Sequence, residues 1–180
     1  GQYEGYLDTP GVAPDSTTET FAALRLDIDN WRWAGVPFYL RTGKGLASKV
    51  SEITLKFRKV PFNAFHGYET ELPMRDHLTV RIQPNEGITI SFNAKRPGSG
   101  MHLGRVAMDF DYAEDFAHAK IADAYELLIL EAMRGDHSLF IRQDGVERAW
   151  EILQPVLDDP QPVCMYPKGS WGPPEADDLI

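Results

Sequence analysis

Apolar and polar residues alternate in six successive segments, with no helical segment between them. In the first of these, Ala22, Leu24, Leu26 and Ile28 alternate with Arg25, Asp27 and Asp29. This period of two is typical of half-buried β-strands. The apolar positions of the other five segments are Val36, Phe38 and Leu40; Ile53, Leu55 and Phe57; Leu78, Val80 and Ile82; Ile88, Ile90 and Phe92; and Val106, Met108 and Phe110. Because parallel neighbours need a long crossover connection, the pattern predicts a mostly antiparallel sheet.

Beyond about residue 115 the apolar spacing changes to three and four, which predicts an amphipathic helix. Its apolar positions are Ile121, Tyr125, Leu128, Ile129, Ala132 and Met133. Arg134 and Gly135 predict where it ends, as a cation for the last turn and a glycine for the C-cap. A second helix is predicted to begin at Asp144, with Glu147 as its capping-box partner. Pro155 is expected to kink or end that helix.

Strands followed by helices indicate an α+β fold, with a large mostly antiparallel sheet and helices packed on one face. The length of 180 residues favours a single domain over residues 1–180. The first fifteen residues contain no strong element. From Asp159 onward the chain is rich in proline and aromatic residues, which predicts either an ordered irregular segment or a flexible arm.

A formal net charge of -9 argues against nucleic acid or an anionic membrane as the main partner, because both attract a basic face. No apolar run approaches the roughly 18 residues that a membrane-spanning helix needs. A single cysteine, Cys164, allows no internal disulfide and fits a reducing compartment. We therefore expect a soluble, cytoplasmic domain.

A basic segment at residues 41–49 interrupts this acidic chain and is predicted to form the loop between two strands. It contains Arg41, Lys44 and Lys49, and its glycines Gly43 and Gly45 permit tight turns. Lysine ammonium groups suit phosphate or sugar hydroxyls. A solvated basic hairpin is the alternative interpretation, and spacing does not decide between the two. The glycine and hydroxyl residue that a Walker A loop requires around the Gly-Lys pair are missing.

A polar pair, Arg81 and Gln83, alternates with the apolar residues of the fourth segment. Gln83 offers two donors and an acceptor at a strand end. If this strand lies beside the Lys44 loop, the strand and the loop would form one continuous polar surface. The alternative interpretation is that Arg81 and Gln83 are an ordinary polar pair that faces outward.

Other motifs predict no catalytic dyad, cofactor loop or metal site. The glycine-rich residues 98–104 are spaced one residue too widely for a dinucleotide loop and precede a strand rather than a helix. None of the five histidines has metal-ligand spacing to another histidine or the cysteine. No G-x-S-x-G elbow marks a nucleophile.

Five segments together resemble the C-terminal domain of glucose-6-phosphate dehydrogenase, the last of them in its bacterial form. They are residues 16–24, 28–44, 81–86, 123–129 and 166–173, and residues 29–44 are the most specific. The resemblance implies a large antiparallel sheet with helices on one side and subunit association through the other, hence a homo-oligomer. In this family the NADP-binding Rossmann domain and the catalytic histidine lie N-terminal to the matching region.

The resemblance also implies an activity for the whole enzyme, the NADP-dependent oxidation of glucose 6-phosphate to 6-phosphogluconolactone in the pentose phosphate pathway. Lys44 and Lys49 stand where the family has its loop lysines, so the resemblance implies that they contact glucose 6-phosphate. Gln83 stands where the family has a glutamine near the sugar. The chain on its own is expected to be inactive, because it has neither the base nor the dinucleotide loop. The competing hypothesis is a non-catalytic assembly or binding module built on the sheet, which would have no reason to keep the lysine loop.

Some animal members of the family bind a second, structural NADP on this domain. They use a lysine just after the loop and a Tyr-x-Lys pair, where this chain has Val50, Thr89 and Ser91. Arg41 and Arg81 match two of the other cations. We expect no structural NADP here.

Overall fold

A computed structural model describes residues 1–59, 61, 75–116 and 123–179, and the chain divides into two compact units. The first unit combines Gly1–Ser48 with Ala122–Ile180, and the second comprises Lys49–Ile121. The prediction of a single domain over residues 1–180 stays a prediction.

All six alternating segments contain a strand, as predicted, but Ile28, Val36 and Phe57 lie just outside the strands. The strands of the described residues are β1 (Gln2–Tyr3), β2 (Phe21–Asp27), β3 (Pro37–Gly43), β4 (Ser51–Lys56), β5 (His77–Gln83), β6 (Gly87–Lys95), β7 (Leu103–Asp111) and β8 (Met165–Tyr166). The helices are α1 (Tyr112–Asp115), α2 (Ala124–Arg134) and α3 (Gln143–Asp158). A 3-10 helix, Pro174–Leu179, follows β8. Antiparallel sheets with a few helices confirm the α+β class.

The second unit is built on a four-stranded antiparallel sheet in the order β4-β5-β6-β7. Its register gives the sheet two chemically different faces. One row across the apolar face is Ile53, Val80, Ile88 and Phe110; the corresponding row on the polar face is Thr54, Thr79, Thr89 and Asp109. Such a sheet is expected to be covered on its apolar face only.

The first unit contains an antiparallel ribbon of β2 and β3 and a parallel pair of β1 and β8. The pair brings the beginning of the chain to its tail. Phe21 and Tyr166 are buried in its core, and Tyr3 and Leu46 pack against them. The first fifteen residues were expected to contain no strong element, and the strand that lies there, β1, has two residues. The tail is ordered through its bonds to β1, and it is not a free arm.

Helix α2 ends as predicted. Gly135 adopts the left-handed conformation with φ 72°, and its N–H donates to the carbonyls of Ala132 and Glu131. At the other end, the Asp123 carboxylate accepts from the backbone N–H of Tyr125. The predicted helix included Ile121, which lies outside the described residues.

Helix α3 begins one residue earlier than predicted and continues past Pro155. It begins at Gln143, so Asp144 lies inside the first turn and the predicted capping box with Glu147 is wrong. The Asp144 carboxylate instead pairs with the guanidinium of Arg142 at 2.6 Å. Pro155 lies inside the helix, which continues to Asp158, so the proline does not end it. A proline removes one backbone hydrogen bond, and the remaining turns still form.

The packing of helices on one face of the sheet stays a prediction, because α2 and α3 belong to the first unit and the four-stranded sheet to the second. Among the described residues, no helix is both long enough and apolar enough to cross a membrane. The same residues contain no cluster of three or more metal-ligating side chains.

Candidate functional site

The basic segment begins inside a strand and not in a loop. β3 extends to Gly43, where it faces Phe21 of β2. A Cβ on Gly43 would lie 2.8 Å from Cδ2 of Phe21, so a larger residue would displace the ring. Arg41 is therefore a strand residue, and its guanidinium lies 2.6 Å from the carboxylate of Asp177. The lysine loop starts at Lys44.

Both backbone polar groups of Lys44 are bonded. Its N–H donates to the carbonyl of Thr20 at 2.8 Å, and its carbonyl accepts from the hydroxyl of Tyr166 at 2.8 Å. The next residue, Gly45, has φ +60°, a conformation that residues with a Cβ rarely adopt. The chain thus turns sharply after a fixed lysine.

The tail holds the rest of the loop. The carbonyl of Gly45 accepts from the N–H of Gly169 at 2.8 Å, and the N–H of Ala47 donates to the carbonyl of Ser170 at 2.9 Å. Leu46 packs against the buried aromatic cluster. A freely solvated hairpin would lack these long-range bonds. Residues 44–47 of the loop are a fixed part of the first unit.

The backbone of residues 44–47 is held, while the side chains of Lys44, at the start of this stretch, and Lys49, beyond its end, remain exposed. Within the described ranges, neither ammonium group has a hydrogen-bond or ion-pair partner. Lys168, which the sequence analysis did not single out as a site residue, lies beside Gly45, and its Nζ is 4.4 Å from the centre of the Tyr3 ring. Its only sequence signal was its place in the tail segment that carries the family resemblance.

Lys49 and Gln83 lie at the same end of the four-stranded sheet. Lys49 is two residues before β4, whose first residue, Ser51, is paired with Gln83. The side-chain amide of Gln83 donates to the Ser51 hydroxyl at 3.1 Å. Lys44 belongs to the other unit, so the grouping of all three residues stays a prediction.

Arg81 has partners within its own sheet. Its guanidinium lies 3.6 Å from the carboxylate of Asp109 and 3.9 Å from that of Asp111, and it donates to the hydroxyl of Thr89. Its Nε donates to the carbonyl of Asn85 at 3.2 Å, within the turn that follows Gln83. Sequence reasoning treated Arg81 as an outward polar residue and missed this network, because it depends on strand register.

This chemistry suits binding more than proton transfer. Ammonium groups and a primary amide can hold phosphate oxygens and sugar hydroxyls. An anchored backbone fixes the point from which the flexible side chain of an exposed lysine extends. Orientation of a bound substrate is itself a large part of catalysis.

Known proteins match the chain along its whole length. The family described as "Glucose-6-phosphate dehydrogenase, C-terminal domain" matches residues 1–180. A glucose-6-phosphate 1-dehydrogenase of Aggregatibacter actinomycetemcomitans is 48% identical over 180 residues, which are 98% of this chain and 35% of the relative. The corresponding protein of Treponema pallidum is 45% identical over 181 residues, which again are 98% of this chain and 35% of the relative.

Solved structures agree with this assignment. A glucose-6-phosphate 1-dehydrogenase of Mycobacterium avium superimposes with a TM-score of 0.86 at 42% identity, covering 100% of this chain and 37% of that one. A glucose-6-phosphate dehydrogenase in complex with its substrate glucose 6-phosphate gives a TM-score of 0.85 at 38% identity, with 97% and 36% covered. The chain thus spans about a third of the length of these relatives. Its family match, its relatives and its fold place it in the glucose-6-phosphate dehydrogenase C-terminal domain family.

Proposed function

We propose that this chain is the substrate-loop and oligomerisation domain of an NADP-dependent glucose-6-phosphate dehydrogenase. The whole enzyme would oxidise glucose 6-phosphate to 6-phosphogluconolactone in the pentose phosphate pathway. The observation that carries the proposal is Lys44, whose backbone is bonded on both sides while its ammonium group is exposed. A similar structure was solved with glucose 6-phosphate bound, which supports that substrate.

Lys44 and Lys49 would hold the anionic sugar phosphate, and Gln83 would donate to a sugar oxygen. Hydrogen bonds from ammonium to phosphate are charge-assisted and about twice as strong as neutral ones. Lys49 and Gln83 lie at one end of β4 and β5, which fits a shared task. Binding of this kind would fix the sugar for reaction at C1.

The redox chemistry would belong to the N-terminal domain of the whole protein, the proposed partner of this chain. There the hydride of C1 would pass to the nicotinamide of NADP, and a histidine would take the C1 hydroxyl proton. We expect no second NADP on this domain. The positive charge of Arg81 is paired with the carboxylates of Asp109 and Asp111 in its own sheet. Val50, Thr89 and Ser91, which stand where the animal proteins have their lysines and tyrosine, supply no cation. A cytoplasmic location fits the free thiol of Cys164.

The four-stranded sheet is the proposed oligomer interface. Its apolar face suits helices of the same protein, which leaves the polar face, with Thr54, Thr79 and Thr89, for a second copy. A full-length protein that sediments as a monomer at every concentration would contradict this part of the proposal.

An activity assay separates the enzyme from the competing assembly module. Full-length protein is expected to reduce NADP when glucose 6-phosphate is added, measured as NADPH absorbance, and residues 1–180 alone are expected to be inactive. An oligomeric full-length protein without this activity would favour the assembly module. NADP reduction by residues 1–180 would overturn the assignment of the redox chemistry to the N-terminal domain.

A further inference from the structure

Tyr166 places a hydroxyl group directly under the lysine loop. Its side chain is completely buried, with 0% relative exposure. The hydroxyl lies 2.8 Å from the carbonyl oxygen of Lys44, 3.2 Å from that of Thr20 and 3.0 Å from the Thr20 hydroxyl. The lysine loop and the tail of the chain thus meet at one phenol oxygen.

The hydrogen bonds around this oxygen form a closed ring. A tyrosine hydroxyl donates one proton, and carbonyls only accept. The shorter distance assigns that proton to Lys44, so the Thr20 hydroxyl donates to the Tyr166 oxygen. The Thr20 carbonyl accepts from the Lys44 N–H at 2.8 Å and closes the ring. Lys44 is therefore held at both its carbonyl and its N–H.

The Tyr166 ring has little freedom to move. Its centroid lies 5.5 Å from that of Phe21 and 6.4 Å from that of Tyr3. Its backbone belongs to β8, and its carbonyl accepts from the N–H of Glu4 at 2.9 Å. A side chain locked by packing keeps its hydroxyl in one place, which is the requirement for preorganising a binding group.

We propose that Tyr166 is a positioning residue for Lys44. The buried hydroxyl holds the Lys44 carbonyl, and thereby directs the ammonium group of Lys44 toward the sugar phosphate. This inference rests on the proposed function, in which Lys44 contacts glucose 6-phosphate. A tyrosine that served the core alone would affect stability and leave substrate affinity unchanged.

The test is Tyr166→Phe in the full-length enzyme, which removes the hydroxyl and keeps the ring. We expect the KM for glucose 6-phosphate to rise about three- to tenfold, the effect of one hydrogen bond. The KM for NADP and kcat should stay within a factor of about two, because only uniform binding of the sugar phosphate is lost. Tyr3→Phe is the matched control, since the Tyr3 hydroxyl has no hydrogen bond within the described ranges, and its KM values should not change.

A second variant, Thr20→Val, removes the donor to the Tyr166 oxygen and is expected to raise the same KM by a smaller factor. An unchanged KM for glucose 6-phosphate in both variants, with Lys44→Ala impaired, would overturn the positioning role and leave the proposed function standing. An unchanged KM and kcat in Lys44→Ala would overturn both. A lower melting temperature with no change in KM would make Tyr166 a core residue only.

Discussion

Replacing Lys44 by alanine in the full-length enzyme should lower kcat/KM for glucose 6-phosphate by about 10- to 100-fold, the loss of one hydrogen bond to a charged group. The Lys44 ammonium group is exposed, and its backbone is fixed at both ends by Thr20 and Tyr166. Initial rates of NADPH formation at varied glucose 6-phosphate would measure the loss.

Lys168→Ala is the matched control for this variant. It removes the same charge beside the same loop, but the Lys168 ammonium lies over the Tyr3 ring. We expect a change of less than about threefold, because exposed charges beyond direct contact are screened by salt. Equal losses of kcat/KM in the two variants would mean that the overall positive potential of the loop, and not a contact made by Lys44, attracts the sugar phosphate. An unchanged kcat/KM in Lys44→Ala would contradict the contact with the sugar phosphate.

The elements that could be predicted from sequence are those with local signals. Half-buried strands repeat every two residues, and β2 to β7 are long enough to show it. The end of α2 was predictable because Gly135 is needed there for its left-handed conformation. These signals depend on neighbours along the chain, and tertiary contacts did not override them.

Other elements depend on contacts between distant residues and leave no local pattern. β1 and β8 have two residues each, too few to display a period, and they pair across almost the whole chain. The first turn of α3 lacked a capping residue, since Arg142 precedes it, so its start was misplaced by one residue. Arg41 was assigned to the loop because Leu40 was the last apolar position of the alternation.

Only part of the candidate site could be predicted, because the rest of it depends on contacts between distant residues. The charges of Lys44 and Lys49 were visible in the sequence, and the family resemblance gave them a role. The bonds that hold Lys44 come from Thr20 and Tyr166, which lie 24 residues before it and 122 residues after it. A hydroxyl that far along the chain gives no sequence signal of the loop it contacts.

Tyr166→Ala should be the most destabilising of these substitutions. Truncating a fully buried aromatic ring costs about 3–5 kcal/mol of unfolding free energy. Phe21 and Tyr3 would face the cavity left by the ring, and the carbonyl of Lys44 would lose its donor. Urea unfolding of the full-length protein, followed by tryptophan fluorescence, would show the shift in midpoint.

Tyr166→Phe separates the ring from the hydroxyl in this measurement. The phenylalanine variant keeps the packing and should lose only about 1 kcal/mol, the net contribution of a typical hydrogen bond. The difference between the two variants is therefore the contribution of the ring to the core of the first unit. If both variants unfolded at the same urea concentration, the ring would not be part of the stabilising core. A large gap between them, with a raised KM in Tyr166→Phe, would mean that one residue anchors the core through its ring and the substrate lysine through its hydroxyl.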